Sequence, residues 1–269
     1  MKRPALHTMM ALLLGAGAAL AQEPRRDTLP PVSISGRASE PVQKSYRRML
    51  RGLDYFERER AAVAPNASLR FKLLPRQRGT EMDDIVLELI GRSFDYPLPI
   101  ALDHSFELPR DERALREDAL VSPNRKRLSM TWRTEIRTPG WPAGSRRLGD
   151  LRLECEVGLE AGLISNGGVI ARIAELFQDS KRYCDRPDTQ YLFFTERPLF
   201  GVTLVAGARR ETLPVERLYA RASDDPGLKD DLPFCDCEVL VDRSYFLPLG
   251  DHSWPDDTRV EFDYMDDEQ

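Results

Sequence analysis

Along residues 151–160 the chain alternates strictly, with Leu151, Leu153, Cys155, Val157 and Leu159 set between Arg152, Glu154, Glu156, Gly158 and Glu160. Period two turns successive side chains to opposite faces of an extended chain, so the pattern predicts a strand with one buried and one solvated face. Cys155 then points into a core. The same period runs through Leu128, Met130, Trp132, Thr134 and Ile136, and the turn-rich run Thr138-Pro139-Gly140-Trp141-Pro142-Ala143-Gly144 lies between the two stretches. Together they predict an antiparallel ribbon with one wet face, on which Arg133 or Arg137 stands opposite Glu154 or Glu156.

Other stretches repeat the strand signature: Leu69, Phe71 and Leu73; Ile85, Leu87 and Leu89; residues 191–194, 200–206 and 234–246; and Val260, Phe262 and Tyr264. Nearer the start the period is helical. Val42, Tyr46, Met49, Leu50, Leu53 and Phe56 fall on one stripe of a helix over 41–60, opened by Pro41. Two short helices are expected, one through Val169, Ile170, Ile173, Leu176 and Phe177 and one starting at Thr212-Leu213-Pro214-Val215-Glu216. Asn166-Gly167-Gly168 reads as a helix cap, since the Lys, Ser or Thr of a phosphate cradle does not follow it. The fold class expected is mainly β: one or more antiparallel β-sandwiches with an N-terminal amphipathic helix and two short helices. Residues 68–164 form one β-rich region and 165–269 a second, joined to the first by disulfides.

The first 21 residues have the layout of a secretory leader: Lys2 and Arg3, an apolar run over 9–21, and Ala19-Leu20-Ala21 as the cleavage site. At 1.5 Å per residue that run is too short to cross a hydrocarbon layer of about 30 Å, so no membrane span is expected. Cleavage after Ala21 leaves a polar, Pro-containing tether over 22–40 and a periplasmic or secreted protein. The run Thr28-Leu29-Pro30-Pro31-Val32-Ser33-Ile34-Ser35-Gly36 resembles the segment after the leader of TonB-dependent outer-membrane receptors, which implies a Gram-negative envelope.

A second resemblance lies further on. Ile90-Gly91, followed by Pro99-Ile100-Ala101-Leu102-Asp103-His104-Ser105-Phe106, is similar to the strand and hairpin of carboxypeptidase-regulatory or transthyretin-like β-sandwich domains, with His104 where that family has Gly. The likeness implies two short strands joined at Asp103-His104 and a non-catalytic folding or adhesion module.

Charge narrows the partners. Losing Lys2 and Arg3 takes the formal net charge from −5 to −7, and an acidic chain has no excess of cations to neutralise nucleic-acid phosphates. The basic clusters at Arg47-Arg48, Arg125-Lys126-Arg127 and Arg146-Arg147 are local.

Four cysteines in an exported chain favour disulfides. Cys235 and Cys237 would share a strand face with Val239 and Val241, about 6.6 Å apart and parallel, which is poor geometry for joining each other. One is expected to reach Cys155 and the other Cys184, in either combination. A redox or zinc pair competes, but its usual spacings leave two or more residues between cysteines, and Asp236 would raise a neighbouring thiol pKa.

Candidate chemistry is sparse. Beyond the leader the histidines are His104 and His252, and there is no Gly-x-Ser-x-Gly elbow or His-Glu-x-x-His. Gly250-Asp251-His252-Ser253-Trp254-Pro255-Asp256-Asp257-Thr258 sets Asp, His and Ser side by side, yet triad groups must converge in space whereas adjacent residues diverge. Asp251, Asp256 and Asp257 with nearby carbonyls could instead hold Ca²⁺, or the stretch is a plain turn. No cofactor or metal site is expected. The leading expectation is a non-enzymatic binding, assembly or structural module of the envelope, meeting a protein partner through helix 41–60 or a sheet edge. Its alternative is an envelope hydrolase or Ca-dependent binder using Asp251, His252, Asp256 and Asp257.

Overall fold

Ser45 starts the first helix by accepting the Arg48 N–H on its side chain, which satisfies one of the donors that a helix start leaves open. A computed structural model describes residues 42–126, 129–163, 179–187, 189, 191–221 and 239–265, all within the unit Ser35–Gln269. In chain order the strands are β1 (Lys44–Ser45), β2 (Ser68–Pro75), β3 (Leu87–Ile90), β4 (Asp95–Leu98), β5 (Ser105–Phe106), β6 (Leu120–Pro123), β7 (Met130–Arg137), β8 (Ser145–Arg147), β9 (Leu192–Phe194), β10 (Leu199–Ala206), β11 (Arg209–Thr212), β12 (Ser244–Phe246) and β13 (Arg259–Tyr264). The helices are α1 (Tyr46–Val63), α2 (Glu112–Arg116), α3 (Leu148–Glu160) and α4 (Ser180–Cys184). The pairings are antiparallel, in the orders β1-β6-β3-β4, β5-β2-β7, β11-β10-β13-β8 and β12-β9. The protein is mainly β.

The α1 stripe faces inward: Tyr46, Met49 and Leu50 are buried against β2, β3 and β7, and Phe56 joins a smaller cluster with Ile136 and Val157. In β7 Met130, Trp132, Thr134 and Ile136 are all buried, and from Trp132 onward they alternate with the less buried Arg133, Glu135 and Arg137, while Thr131 is buried as well. Its ladder partner is β2, with Phe71 opposite Thr134 and Leu73 opposite Trp132. The stretch 99–106 does not form two paired strands. A tight turn, closed by Ala101 N–H to the Ser105 carbonyl, delivers the two-residue β5 to the edge of β2. Between Thr212 and Leu218 the expected helix start is a single 3-10 turn, Val215–Arg217. Of the expected strand over 234–246, residues 244–246 form β12, while 234–238 lie outside the described residues. So do 1–41, the expected helix over 169–177, and both Cys235 and Cys237.

Residues 151–160 correct the first expectation. They belong to the helix α3, and Leu148 to Gly158 are all buried. In a helix, residues i and i+2 stand about 200° apart, so alternate positions split into two opposed stripes. Leu148, Leu151 and Cys155 enter the core with Trp254 and Val260, whereas Leu153 and Val157 enter the one with Tyr55, Phe56 and Ile136. A helix held between two apolar cores thus reproduces the period of a strand. The crossing with α1 is close: a Cβ on Gly52 would lie 2.7 Å from the Ala161 Cβ.

The disulfide also differs from expectation. Cys155 pairs directly with Cys184, their Cα atoms 6.2 Å apart, so the link ties α3 to α4 and not to a distant strand. Cys155 is buried, as its apolar neighbours implied.

Beside the disulfide, the Tyr55 hydroxyl donates to Glu156 Oε2 at 2.8 Å. Burial pushes the Glu156 carboxyl up from its ordinary 4.5 to about 7, against the pull of the Tyr55 hydrogen bond, with Asp185 adding to the rise and Lys181 opposing it.

Two outcomes follow from this packing. The C155S/C184S double variant should lose about 3–4 kcal/mol of unfolding free energy in urea, the entropy of the 29-residue loop that the bond closes. Because the folded pKa of Glu156 lies above its unfolded value, its contribution is complete below about pH 4.5 and is lost as pH rises through about 7. E156Q should therefore match the parent protein near pH 4 and exceed it by roughly 3 kcal/mol at pH 8, read from urea midpoints at each pH.

Candidate functional site

β7 pairs on one side with β2 and β9 on one side with β12, which leaves each with an edge that no described strand occupies. Both strands border a cleft of about 480 Å³, closed elsewhere by β2, the 102–104 turn and Arg243. At Ile136 the edge of β7 is sealed by side chains. Glu154 Oε2 accepts the Ile136 N–H at 3.0 Å, and Arg146 Nη2 donates to the Ile136 carbonyl at 2.6 Å. The same Nη2 meets Glu154 Oε2 at 2.7 Å, so acceptor and donor are joined much as in the peptide unit of a neighbouring strand. Both side chains are more than nine-tenths buried. Burial alone would depress the Arg146 guanidinium, but the Glu154 carboxylate outweighs it and holds the group charged.

Nearer the mouth, the Lys72 ammonium sits 3.4 Å from Glu135 and 3.7 Å from Asp103. Burial pushes the Glu135 carboxyl up, but Lys72 and Arg137 outweigh it and hold it below the usual range. Glu196 lies 3.3 Å from Arg137, and Asp103 accepts from the Ser105 hydroxyl at 2.7 Å. Each carboxylate of the cleft is thus engaged. Arg133 is different: its guanidinium lies over the Phe194 ring, 5.1 Å from the centroid, and donates only to the Trp132 and Leu163 carbonyls. Among the described residues it has no carboxylate partner. Arg243 donates to the Glu196 carbonyl at 2.9 Å and keeps Asp242 4.0 Å from its Nε.

The rim carries two further features. Leu102 is fully exposed, and His104 has a φ of 62°, the left-handed conformation for which a hairpin ordinarily uses glycine.

The 249–256 loop, where sequence suggested chemistry, is held from two sides. Arg152 of α3 donates from Nε to the Leu249 carbonyl at 2.9 Å, from Nη1 to Asp256 Oδ1 at 2.6 Å, and from Nη2 to the Asp251 and Trp254 carbonyls at 2.9 and 3.0 Å. From outside, the Arg209 guanidinium lies over the Trp254 ring, 3.5 Å from its centroid. A Cβ on Gly250 would run into the Asp185 carbonyl, so the loop also presses on the end of α4. Its oxygens thus converge on a cation already supplied by the chain.

Asp251 Oδ1 accepts the Ser253 N–H at 3.0 Å, and its Ser253 hydrogen bonds hold the carboxyl below its ordinary value. His252 is exposed, with Nε2 3.5 Å from Asp185, and Asp257 is exposed. Asp251, His252, Asp256 and Asp257 share a loop but do not converge on a common point. Among the described residues no group of three or more His, Cys, Asp or Glu side chains could hold a metal ion.

Sequence reasoning put Arg133 on the wet face of its strand without marking it as a site, and it did not single out Lys72, Glu135 or Arg243. Nothing local in the sequence says that this face meets residues 192–196. No family model, curated protein or solved structure matches the chain.

The Arg146–Glu154 pair holds the inner wall of the cleft. Replacing Glu154 with Ala should cost about 3–5 kcal/mol in urea unfolding, because it leaves a buried guanidinium without its counter-ion. The R146A/E154A double variant should be less destabilised than the two single losses summed.

Proposed function

We propose that this chain is an exported bacterial envelope protein that serves as a binding or assembly module and not as an enzyme, with the cleft beside β7 and β9 as its binding face. The observation that carries this reading is Arg133, a cation stacked on Phe194 at the wall of a 480 Å³ cleft and lacking a carboxylate partner among the described residues. Such a volume suits a small ligand or a short chain segment. The leader-like first 21 residues support export, as does the buried Cys155–Cys184 link, because disulfides persist outside the reducing cytoplasm.

Of the two docking surfaces that the sequence suggested, the α1 stripe is occupied by the protein's own core, which favours the sheet edge. The resemblance to transthyretin-like modules fits a binding role. The hydrolase or Ca²⁺ alternative at Asp251, His252, Asp256 and Asp257 is disfavoured by the engagement of Asp256 and the loop carbonyls with Arg152.

Expression in a Gram-negative host should yield a chain that begins at Gln22, by mass spectrometry, in the periplasmic or culture fraction. That chain should turn over no chromogenic ester, phosphate or glycoside. Turnover that disappears in H252A would put the hydrolase in place of the binding module.

A further inference from the structure

Hydrogen-bond donors exceed acceptors around the cleft. Among the described residues the buried Nε–H groups of Arg133, Arg146 and Arg243 have no hydrogen-bond acceptor, and all three residues line it. A second, smaller chamber of about 70 Å³ shares Arg146, Phe194, Thr195 and Glu196 with the cleft and is bordered by Tyr245, whose fully buried hydroxyl also has no partner among the described residues. Buried polar groups are ordinarily hydrogen-bonded, so three such groups on the cleft and one on the adjoining chamber mark where a ligand that supplies acceptors would be held. The Arg146 side chain is more than nine-tenths buried, and its Nη2 is already held by Glu154 and Ile136. Its Nε–H is not. The chamber has room for a carboxylate, whereas Leu74, Met82, Leu102, Phe194 and Leu240 give the cleft an apolar lining.

We infer that the cleft binds an amphiphilic carboxylate, its acceptor-only head in the adjoining chamber against Arg146 and Tyr245 and its apolar body in the cleft beside Leu102. The inference rests on the binding-module reading and names its ligand class. Arg133 and Arg243 supply positive charge along the head's path, and the stack on Phe194 fixes Arg133 before the ligand arrives.

Decanoate, decanol and decyl phosphate, titrated by calorimetry into the mature protein with its disulfide intact, test this. Decanoate should bind, with decanol at least about tenfold weaker, since a hydrogen bond to a charged group changes affinity by about ten- to a hundredfold, and decyl phosphate weaker as well, because its tetrahedral head is bulkier than a carboxylate in a chamber of about 70 Å³. Y245F should weaken decanoate by about tenfold while leaving the unfolding midpoint equal or higher, because it deletes a hydroxyl that the ligand-free fold leaves unsatisfied. R133Q should weaken decanoate as well. L102D, at a fully exposed position where folding is not at risk, should weaken it through charge repulsion at the mouth.

Equal binding of decanol and decanoate would overturn the ligand class and leave the cleft as a binding site. Preference for decyl phosphate would replace the carboxylate with a phosphate head. Binding by none of the three at 1 mM would sink both the ligand class and the cleft, and unchanged affinity in Y245F would remove the head-group site.

Discussion

Everything in this protein hangs on α3 being buried on every side. Its Leu148, Leu151 and Cys155 enter one core and its Leu153 and Val157 another, so the helix is the partition that both cores pack against. A helix so enclosed must satisfy each charge it carries, because an unpaired buried ion costs several kcal/mol. Arg152, Glu154 and Glu156 meet this demand in three ways: a fork of loop carbonyls, an ion pair joined to a strand edge, and a carboxyl whose proton is retained to about pH 7.

These side chains do more than neutralise one another. Glu154 and Arg146 take the positions that the next strand's peptide group would hold beside Ile136, which closes the edge of β7 without another strand. An open edge invites pairing with other chains, and charged inward-pointing side chains are one way to prevent it. Closure by side chains also leaves room. The cleft borders the same strand, through Arg133, Thr134 and Glu135.

The loop over 249–256 shows how residue types mislead when their partners are unknown. Aspartates, a histidine and a serine in a row suggest chemistry, but the loop's carbonyls and Asp256 surround Arg152, a residue about a hundred positions earlier in the chain. Conversely, Arg133 read as the wet face of an ordinary strand, and nothing marked Lys72. They border a cleft because β9 lies across from them, a relation with no local signature.

Sequence alone determined the buried faces of β2 and β7, the inward stripe of α1 and the predominance of antiparallel strands, because each depends on a periodicity that only one geometry satisfies, and it determined the burial of Cys155, which strand and helix alike require. Residues 151–160 satisfied two. A strand with one dry face and a helix between two cores both require apolar alternate positions, and only the long-range contacts of α3 decide between them. The partner of Cys155 and the cleft between β7 and β9 were settled by tertiary structure for the same reason: each joins segments whose proximity is a property of packing and not of local pattern.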